Sequence, residues 1–527
     1  MTSDDGPPPS TDRARGPGRT LTAQTVAGVR WTYARSAADQ LLMLASTAVL
    51  ARLLPPRAFG LVAMAGMAMT FIKYFAQMGL TRAMVQRPEL RRAHVRAGMT
   101  SSLALGLVAY GVVWLAAPLA GVAFEEPDVV PVLRLLGLAL VLSSAGMAAE
   151  ALMERRLAFR ALALRTIVAN VLGLVTAIGF AVAGYGVFAL VLATLVTTAV
   201  KSLLAYAYVR HDLRPILRAA PYRDLLAYGS RSSVIGFLEF LGHDLGTVLI
   251  GRWAGAGPLG LYNRAELLVR LPSQTIAMNL SKVLFPVFSV IQTQVERLRR
   301  AYLQAIEVTA AVVLPLCAGI AVAAPEIVAV VLGPQWSRSA DLVPYLALAA
   351  AAQVVAHFGG VVCDARARLN QKLVLTSLKV LLLGLLLFVA SRLDELLWFA
   401  LAIATTEVAA FAGYAWLASR TLEMSWSRPL VVLFRPLVAA AMVAASIGAV
   451  SLALAAPAPG VGLVLGAQVV TGALALTVSV RWGPLRPTRN RLLGRLVAAD
   501  VLRSTGRTWR LLTLVLGRPL HDDEARR

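Results

Sequence analysis

Residues 166–200 read TIVANVLGLVTAIGFAVAGYGVFALVLATLVTTAV, 35 consecutive residues without a charge. A helix rises about 1.5 Å per residue, so crossing roughly 30 Å of hydrocarbon takes about 20 apolar residues. The run is too long for one crossing, and Gly184-Tyr185-Gly186 stands where a turn is needed, so it reads as two membrane helices in a tight hairpin. Residues 97–124, 28 without a charge, give one more crossing. Residues 436–480, 45 without a charge, are broken by Pro457-Ala458-Pro459-Gly460 and give two.

Extending this outward predicts an all-α polytopic membrane protein of about 14 helices, starting near residues 25, 60, 96, 129, 160, 186, 224, 260, 302, 338, 370, 394, 429 and 460. The composition agrees: of 527 residues 58% are hydrophobic, 15% are charged, and the mean hydropathy is +0.70. A water-soluble fold would carry about 25% charge. The net charge of +23 is spread between the apolar runs, which points to a membrane and away from nucleic acid. Cys317 and Cys363 fall in or beside apolar runs and form no disulfide framework.

Arg and Lys set the orientation. The loops after the even-numbered helices hold 21 of them, among them Arg87, Arg91, Arg92 and Arg96, then Arg155 and Arg156, then Arg210 to Arg223. The odd loops hold five, Arg52, Arg57, Arg252, Arg338 and Arg392, and one of these loops is acidic (Glu125, Glu126, Asp128). Both termini and the even loops are therefore expected in the cytoplasm. Residues 1–20 read as a disordered tail and 483–527 as a basic amphipathic tail on the cytoplasmic leaflet.

A shift of 200 residues aligns the first two helices with the seventh and eighth: Arg52 falls on Arg252, Gly60 on Gly260, Leu61 on Leu261, Ala65 on Ala265 and Met78 on Met278. The shift preserves orientation, as a parallel repeat requires. It predicts two pseudo-symmetric six-helix lobes, 21–215 and 216–425, followed by two more helices within 426–482.

Charges inside hydrocarbon are costly and normally face a cavity or a partner. Within the predicted spans stand Arg35, Asp39, Lys73, Lys201, Glu239, Asp244, Arg264, Glu266, Arg270, Lys282, Lys379 and Glu407, most of them on the repeat-related helices. Arg35 with Asp39, and Glu266 with Arg270, are spaced i,i+4 and can neutralise each other on one face. Lys201 and Lys282 sit where their stems can reach the interface. Arg52 and Arg252 stand at external helix ends, as anchors or as substrate contacts. The five histidines show no metal-ligand spacing, and no phosphate-binding loop of the GxxxxGK[ST] type occurs.

The run Ala51-Arg52-Leu53-Leu54-Pro55-Pro56-Arg57-Ala58-Phe59-Gly60-Leu61-Val62-Ala63-Met64-Ala65, with Gly79-Leu80, Val85-Gln86-Arg87, Leu284-Phe285-Pro286-Val287-Phe288-Ser289 and Leu332-Gly333-Pro334-Gln335-Trp336, resembles the bacterial polysaccharide-transport flippases. These belong to the multidrug/oligosaccharidyl-lipid/polysaccharide exporter superfamily, and the likeness is to the colanic-acid-type repeat-unit branch, over about residues 25–425. It implies a flippase, not an enzyme, in the bacterial inner membrane, moving an undecaprenyl-diphosphate-linked oligosaccharide to the external leaflet by alternating access without a cofactor. Its implied partners are that lipid, the membrane, a glycan polymerase and glycosyltransferases. For such a cargo Arg35, Arg52, Arg252, Arg264 and Arg270 are the candidate diphosphate contacts, and Asp39, Glu239 and Asp244 the candidates for ion coupling. Two other readings stay open: a cation-coupled exporter of small solutes on the same scaffold, and a membrane-embedded glycan polymerase or ligase. The short external loops speak against the last.

Overall fold

The computed structural model describes residues 21–76, 92–156, 158–209, 245–366, 368–393, 395–455 and 460–491, and every regular element among them is a helix. In chain order these are α1 Leu21–Leu53, α2 Pro56–Ala76, α3 Arg92–Phe124, α4 Val129–Arg155, α5 Phe159–Val182, α6 Val187–Val209, α7 at 245–254, α8 Ala256–Val290, α9 Val295–Val322, α10 Ala324–Val331, α11 Ser337–Ala340, α12 Val343–Ala365, α13 Leu369–Ala390, α14 Leu396–Thr421, α15 Ser427–Ala455 and α16 Val461–Arg481. Ten of them are long and apolar enough to cross a membrane, and the chain is a multi-pass membrane protein. The expected count of fourteen rests further on α1, α2, α8 and the segment expected at 224, of which only 245–254 is described. The tail 1–20 and most of 483–527 also lie outside the described residues.

The hairpin expected in 166–200 is present. Gly184 has φ +84° and Gly186 φ +55°, conformations a side chain disfavours. The Gly184 N–H bonds to the Ala181 carbonyl and the Tyr185 N–H to Phe180, closing α5 with a left-handed cap. Other boundaries moved for identifiable reasons. α9 starts at Val295 and not near 302, because Leu298 and Tyr302 are buried on one side of a charged first turn that counting uncharged residues overlooks. α12 starts at Val343 and not near 338, because residues 324–340 fold into α10, a single 3₁₀ turn and α11 around a fully buried Trp336.

The chain divides into two compact units, Met1–Asn263 and Arg264–Arg527. In the first, α3 packs on α4, α4 on α6, α5 on α6 and α1 on α5. The helices are tied by hydroxyls that donate across the interface: Ser102 to the Ser144 carbonyl at 2.9 Å, Ser202 to Leu142 at 2.7 Å, and Tyr206 to Ala145. Such pairs suit an environment without water. α3 has Ala109, Val113 and Ala117 inside, while Val108, Leu115, Leu119 and Val122 are 64–80% exposed on its other face. That is the inverse of a soluble helix and fits contact with lipid.

The first unit takes in α7 and the first turns of α8 because α8 crosses α2 closely. A Cβ on Gly60 would lie 1.7 Å from the Ala256 carbonyl oxygen, and one on Gly260 would lie 1.9 Å from that of Pro56. The contact is reciprocal under the 200-residue shift, which maps Pro56 onto Ala256 and Gly60 onto Gly260. The join between lobes expected at 210–223 lies outside the described residues.

In the second unit α12 packs on α14 and α9, α9 on α15, α13 on α14, and α15 on α16. Phe288, Leu298, Tyr302, Ile306, Phe358, Val362 and Leu422 form its main core. After α16 the chain turns back. Leu485 is buried against Ala311 and Ala439, and the carboxylate of Glu307 on α9 accepts from Thr488 Oγ1 and from the Arg491 guanidinium, both at 2.6 Å. The first residues of the expected surface tail are thus fastened to the unit.

The glycine crossing gives a direct expectation. Gly60→Ala and Gly260→Ala each push a methyl into a backbone carbonyl that cannot rotate away, and overpacking of this kind costs about 1–3 kcal/mol or more. Both should lower the yield and the thermal midpoint of the detergent-purified chain, whereas Gly66→Ala, with open space around it in α2, should not.

Candidate functional site

Four helices of the first unit bring six charges and an amide together. On α1, Arg35 and Asp39 lie one turn apart and pair at 3.7 Å, as their spacing predicts. Asp39 also accepts from the Asn170 amide of α5 at 2.9 Å. On α5, Arg165 is 5% exposed and reaches Glu150 of α4 at 2.7 Å. Glu154, one turn from Glu150, is in electrostatic reach of Arg165 and Arg35. Lys201 of α6 is in reach of Asp39, Arg165, Arg35 and Glu150. Lys201, expected to extend to the interface, therefore belongs to this cluster.

Three cations and three anions balance, which lowers the cost of holding charge in a low-dielectric interior. Every cation has more than one anion nearby, so one contact can be given up without stranding a charge. From the sequence Arg165 reads as one of the 21 basic loop residues, following Arg155 and Arg156, and Glu150 and Glu154 are not among the candidates. The signal was present: Arg165 falls six residues into a helix starting at 159, and two glutamates spaced i,i+4 in an apolar helix require a partner.

The other candidates separate. Arg252, in α7, pairs with Glu125 at 2.7 Å in the acidic α3–α4 loop. The same loop holds Arg57 through Glu126 and Asp128, each at 2.9 Å, and Glu126 also accepts the Ala256 N–H that opens α8. Arg52 stands exposed in the last turn of α1. In the second unit, Glu266 and Arg270 pair at 3.8 Å along α8, with Arg264 in electrostatic reach of both. Two cations and one carboxylate thus stand within two turns of α8. Glu239 and Asp244 lie outside the described residues, as do the side chains of Lys73 and Lys282. Lys379 and Glu407 pair at 2.7 Å. Among the described residues no group of His, Cys, Asp and Glu could hold a metal ion.

Comparisons with known proteins agree with this architecture. By structure the chain is similar to the lipid II flippase MurJ in an inward closed conformation, with a TM-score of 0.69 over 86% of this chain and 97% of that one, at 11% identity. It is also similar to an inward-facing multidrug MATE transporter of the MOP superfamily, with a TM-score of 0.53 over 73% and 95% at 20% identity. At such identities the likeness is one of fold. By sequence it is 26% identical to the lipopolysaccharide biosynthesis protein WzxC of Escherichia coli, over 62% of this chain and 66% of that protein. It is 25% identical to the teichuronic acid biosynthesis protein TuaB of Bacillus subtilis, over 80% and 88%. It is 26% identical to the succinoglycan biosynthesis transport protein ExoT of Rhizobium meliloti, over 81% and 86%. The model of one family, described as polysaccharide biosynthesis protein, matches residues 49–341, more than half of the chain, and the chain belongs to that family.

Proposed function

We propose that this protein carries a lipid-linked oligosaccharide from the cytoplasmic to the external leaflet of the bacterial inner membrane, as a carrier and not as a glycan-transforming enzyme. The observation that carries the reading is the set of arginines held inside apolar helices by exchangeable carboxylates, on a fold shared with a lipid II flippase and in a family of polysaccharide biosynthesis proteins. A saccharide on a lipid diphosphate cannot enter hydrocarbon unaided, since its phosphates and hydroxyls would lose their water. Arginine suits the task because its charge is permanent and its fork pairs with two phosphate oxygens. With the cell interior negative, moving about two negative charges outward gains roughly 4–5 kcal/mol per 100 mV.

In this reading Arg35 in the first unit, and Arg264 and Arg270 in the second, are each candidate contacts for the diphosphate, with Arg52 and Arg252 as candidates at the external end. Both termini lie in the cytoplasm. Undecaprenyl diphosphate is the proposed lipid, and the polymerase and glycosyltransferases of the same polymer are the proposed neighbours.

A deletion strain distinguishes the functions. Accumulation of lipid-linked repeat units in the cytoplasmic leaflet is the expected result. Unpolymerised units exposed outside would identify a polymerase instead, and unchanged glycans with altered drug sensitivity would identify a small-solute exporter.

Orientation is tested by thiol labelling, for which the two native cysteines, both buried, leave a quiet background. Single cysteines at Glu126, Ala254 and Arg392 should react with a membrane-impermeant reagent from outside, and those at Arg92, Arg218 and Arg299 only after permeabilisation. Reversed labelling overturns the topology.

For the arginines, Arg35→Ala should reduce flipping at least tenfold, in line with the roughly 1.5–3 kcal/mol of a charge-assisted contact, and Arg35→Lys should recover part of it. If Arg35 binds cargo, the Arg35→Ala/Asp39→Ala double variant is abundant and inactive. Normal flipping by the double variant makes Arg35 structural.

A further inference from the structure

Three helices of the second unit each carry a polar line on one face. On α12 it is Gln353, His357, Gly360 and Asp364; on α13 Lys372, Thr376 and Lys379; on α14 Glu407 and Tyr414. Spacings of three, four and seven keep each line on one side of its helix. The helices pack in the pairs needed, α12 on α14 and α13 on α14, and run alternately, so the lines meet in three levels.

At the end flanked by Arg366 and Arg368, Lys372 Nζ donates to both oxygens of Asp364, at 2.8 and 2.7 Å. One turn further in, Thr376 Oγ1 and the Tyr414 hydroxyl share a hydrogen bond of 3.0 Å beside Gly360, and His357 lies in electrostatic reach of Asp364 and Lys372. Innermost, about 10 Å along α13 from Lys372, Lys379 Nζ is 2.7 and 2.9 Å from the two Glu407 oxygens, and the Gln353 amide donates to the same carboxylate at 3.4 Å. Lys379 is 17% exposed and Glu407 12%. Both stand near the middle of their helices, at the depth where a span has least access to water.

Replacing a buried ion pair by packed apolar residues is often neutral or stabilising, so packing does not require three helices to give up apolar positions on facing sides. We infer that this seam is a proton path ending at Glu407, and that Glu407 is the group whose protonation drives the transport cycle. The inference rests on the transport reading. It adds the driving ion, and it places coupling in the second unit, away from Asp39.

A proton passing Asp364, Thr376 and Tyr414 forms an O–H bond on Glu407. Lys379 keeps its own proton, so the pair changes from neutral to a charge of +1 and loses its attraction. α13 is then released to shift against α14, and the proton leaves when Glu407 meets water at the opposite surface.

The titratable groups along the seam are Lys372 and Lys379 of α13, Asp364 and the exposed His357 of α12, and Tyr414 on α14; of these, Lys379 pairs with Glu407 itself. Tyr345 and Cys363 of α12 fall about 80° off the line by helical register. At the innermost level Glu407 is the sole carboxylate among the described residues and a lysine already neutralises it, which leaves a metal cation little to bind and favours a proton.

The test is a pH titration of the full chain in lipid by infrared difference spectroscopy. A protonated-carboxyl band should appear on acidification and be absent in Glu407→Gln. A band unaltered by that substitution, or no band across the range in which the protein stays folded, overturns the proposal. This arm needs no cargo and stands even if the transport reading fails.

The second arm uses proteoliposomes with a fluorescent undecaprenyl-diphosphate oligosaccharide. A pH gradient should drive its movement, and Glu407→Gln/Lys379→Gln should be as abundant as wild type but lose that drive at least tenfold. Gradient-driven movement by this neutral pair, or drive by sodium at equal pH, overturns the proposal. If wild type moves no probe under any gradient, the transport reading fails and the infrared result alone decides the seam.

Discussion

Hydrocarbon offers no hydrogen-bond partner, and most of this structure follows from that. A backbone crossing it must satisfy its own N–H and C=O groups, so every span among the described residues is a helix. A side chain that is ionised there must bring its counter-charge with it. Arg35 has Asp39, Arg165 has Glu150, Lys379 has Glu407, and Glu307 has Arg491. In water such pairs are worth little. In a membrane the pairs that join two helices, Arg165 with Glu150 and Lys379 with Glu407, help decide which helices are neighbours, while Arg35 and Asp39 neutralise each other within α1.

Close approach is the second constraint. Association in lipid gains nothing from hiding apolar surface and relies on packing and on polar contacts between helices. The α2–α8 crossing meets this with a glycine on each side, Gly60 and Gly260, each against a carbonyl of the other helix. The two contacts correspond under the 200-residue shift, and both glycines are needed for the crossing.

The spans were readable because their signal, a long uncharged run ended by Gly or Pro, depends on neighbouring residues alone. The hairpin at Gly184 appeared where expected for that reason, as did the i,i+4 pairs Arg35–Asp39 and Glu266–Arg270. What stayed hidden joins residues far apart in sequence. Arg165 and Glu150 are on different helices, and a basic residue just past a loop looks the same whether it turns outward to water or inward to a carboxylate. The three-level seam escaped for the same reason. Lys379 and Glu407 were recognised as intramembrane charges, but their pairing depends on α13 and α14 lying side by side, which periodicity within one helix does not report. The inward fold at Leu485 and Thr488 ran against expectation because an Arg- and Leu-rich end satisfies a lipid surface as readily as it satisfies a buried glutamate.

The tie between Glu307 and the Thr488–Arg491 turn also bears on how the protein is handled. Arg491 is the last described residue and is tied to the second unit through Glu307. A truncation before Leu485 removes the residues that neutralise and cover a carboxylate inside α9, and turns a question about the tail into one about the whole unit.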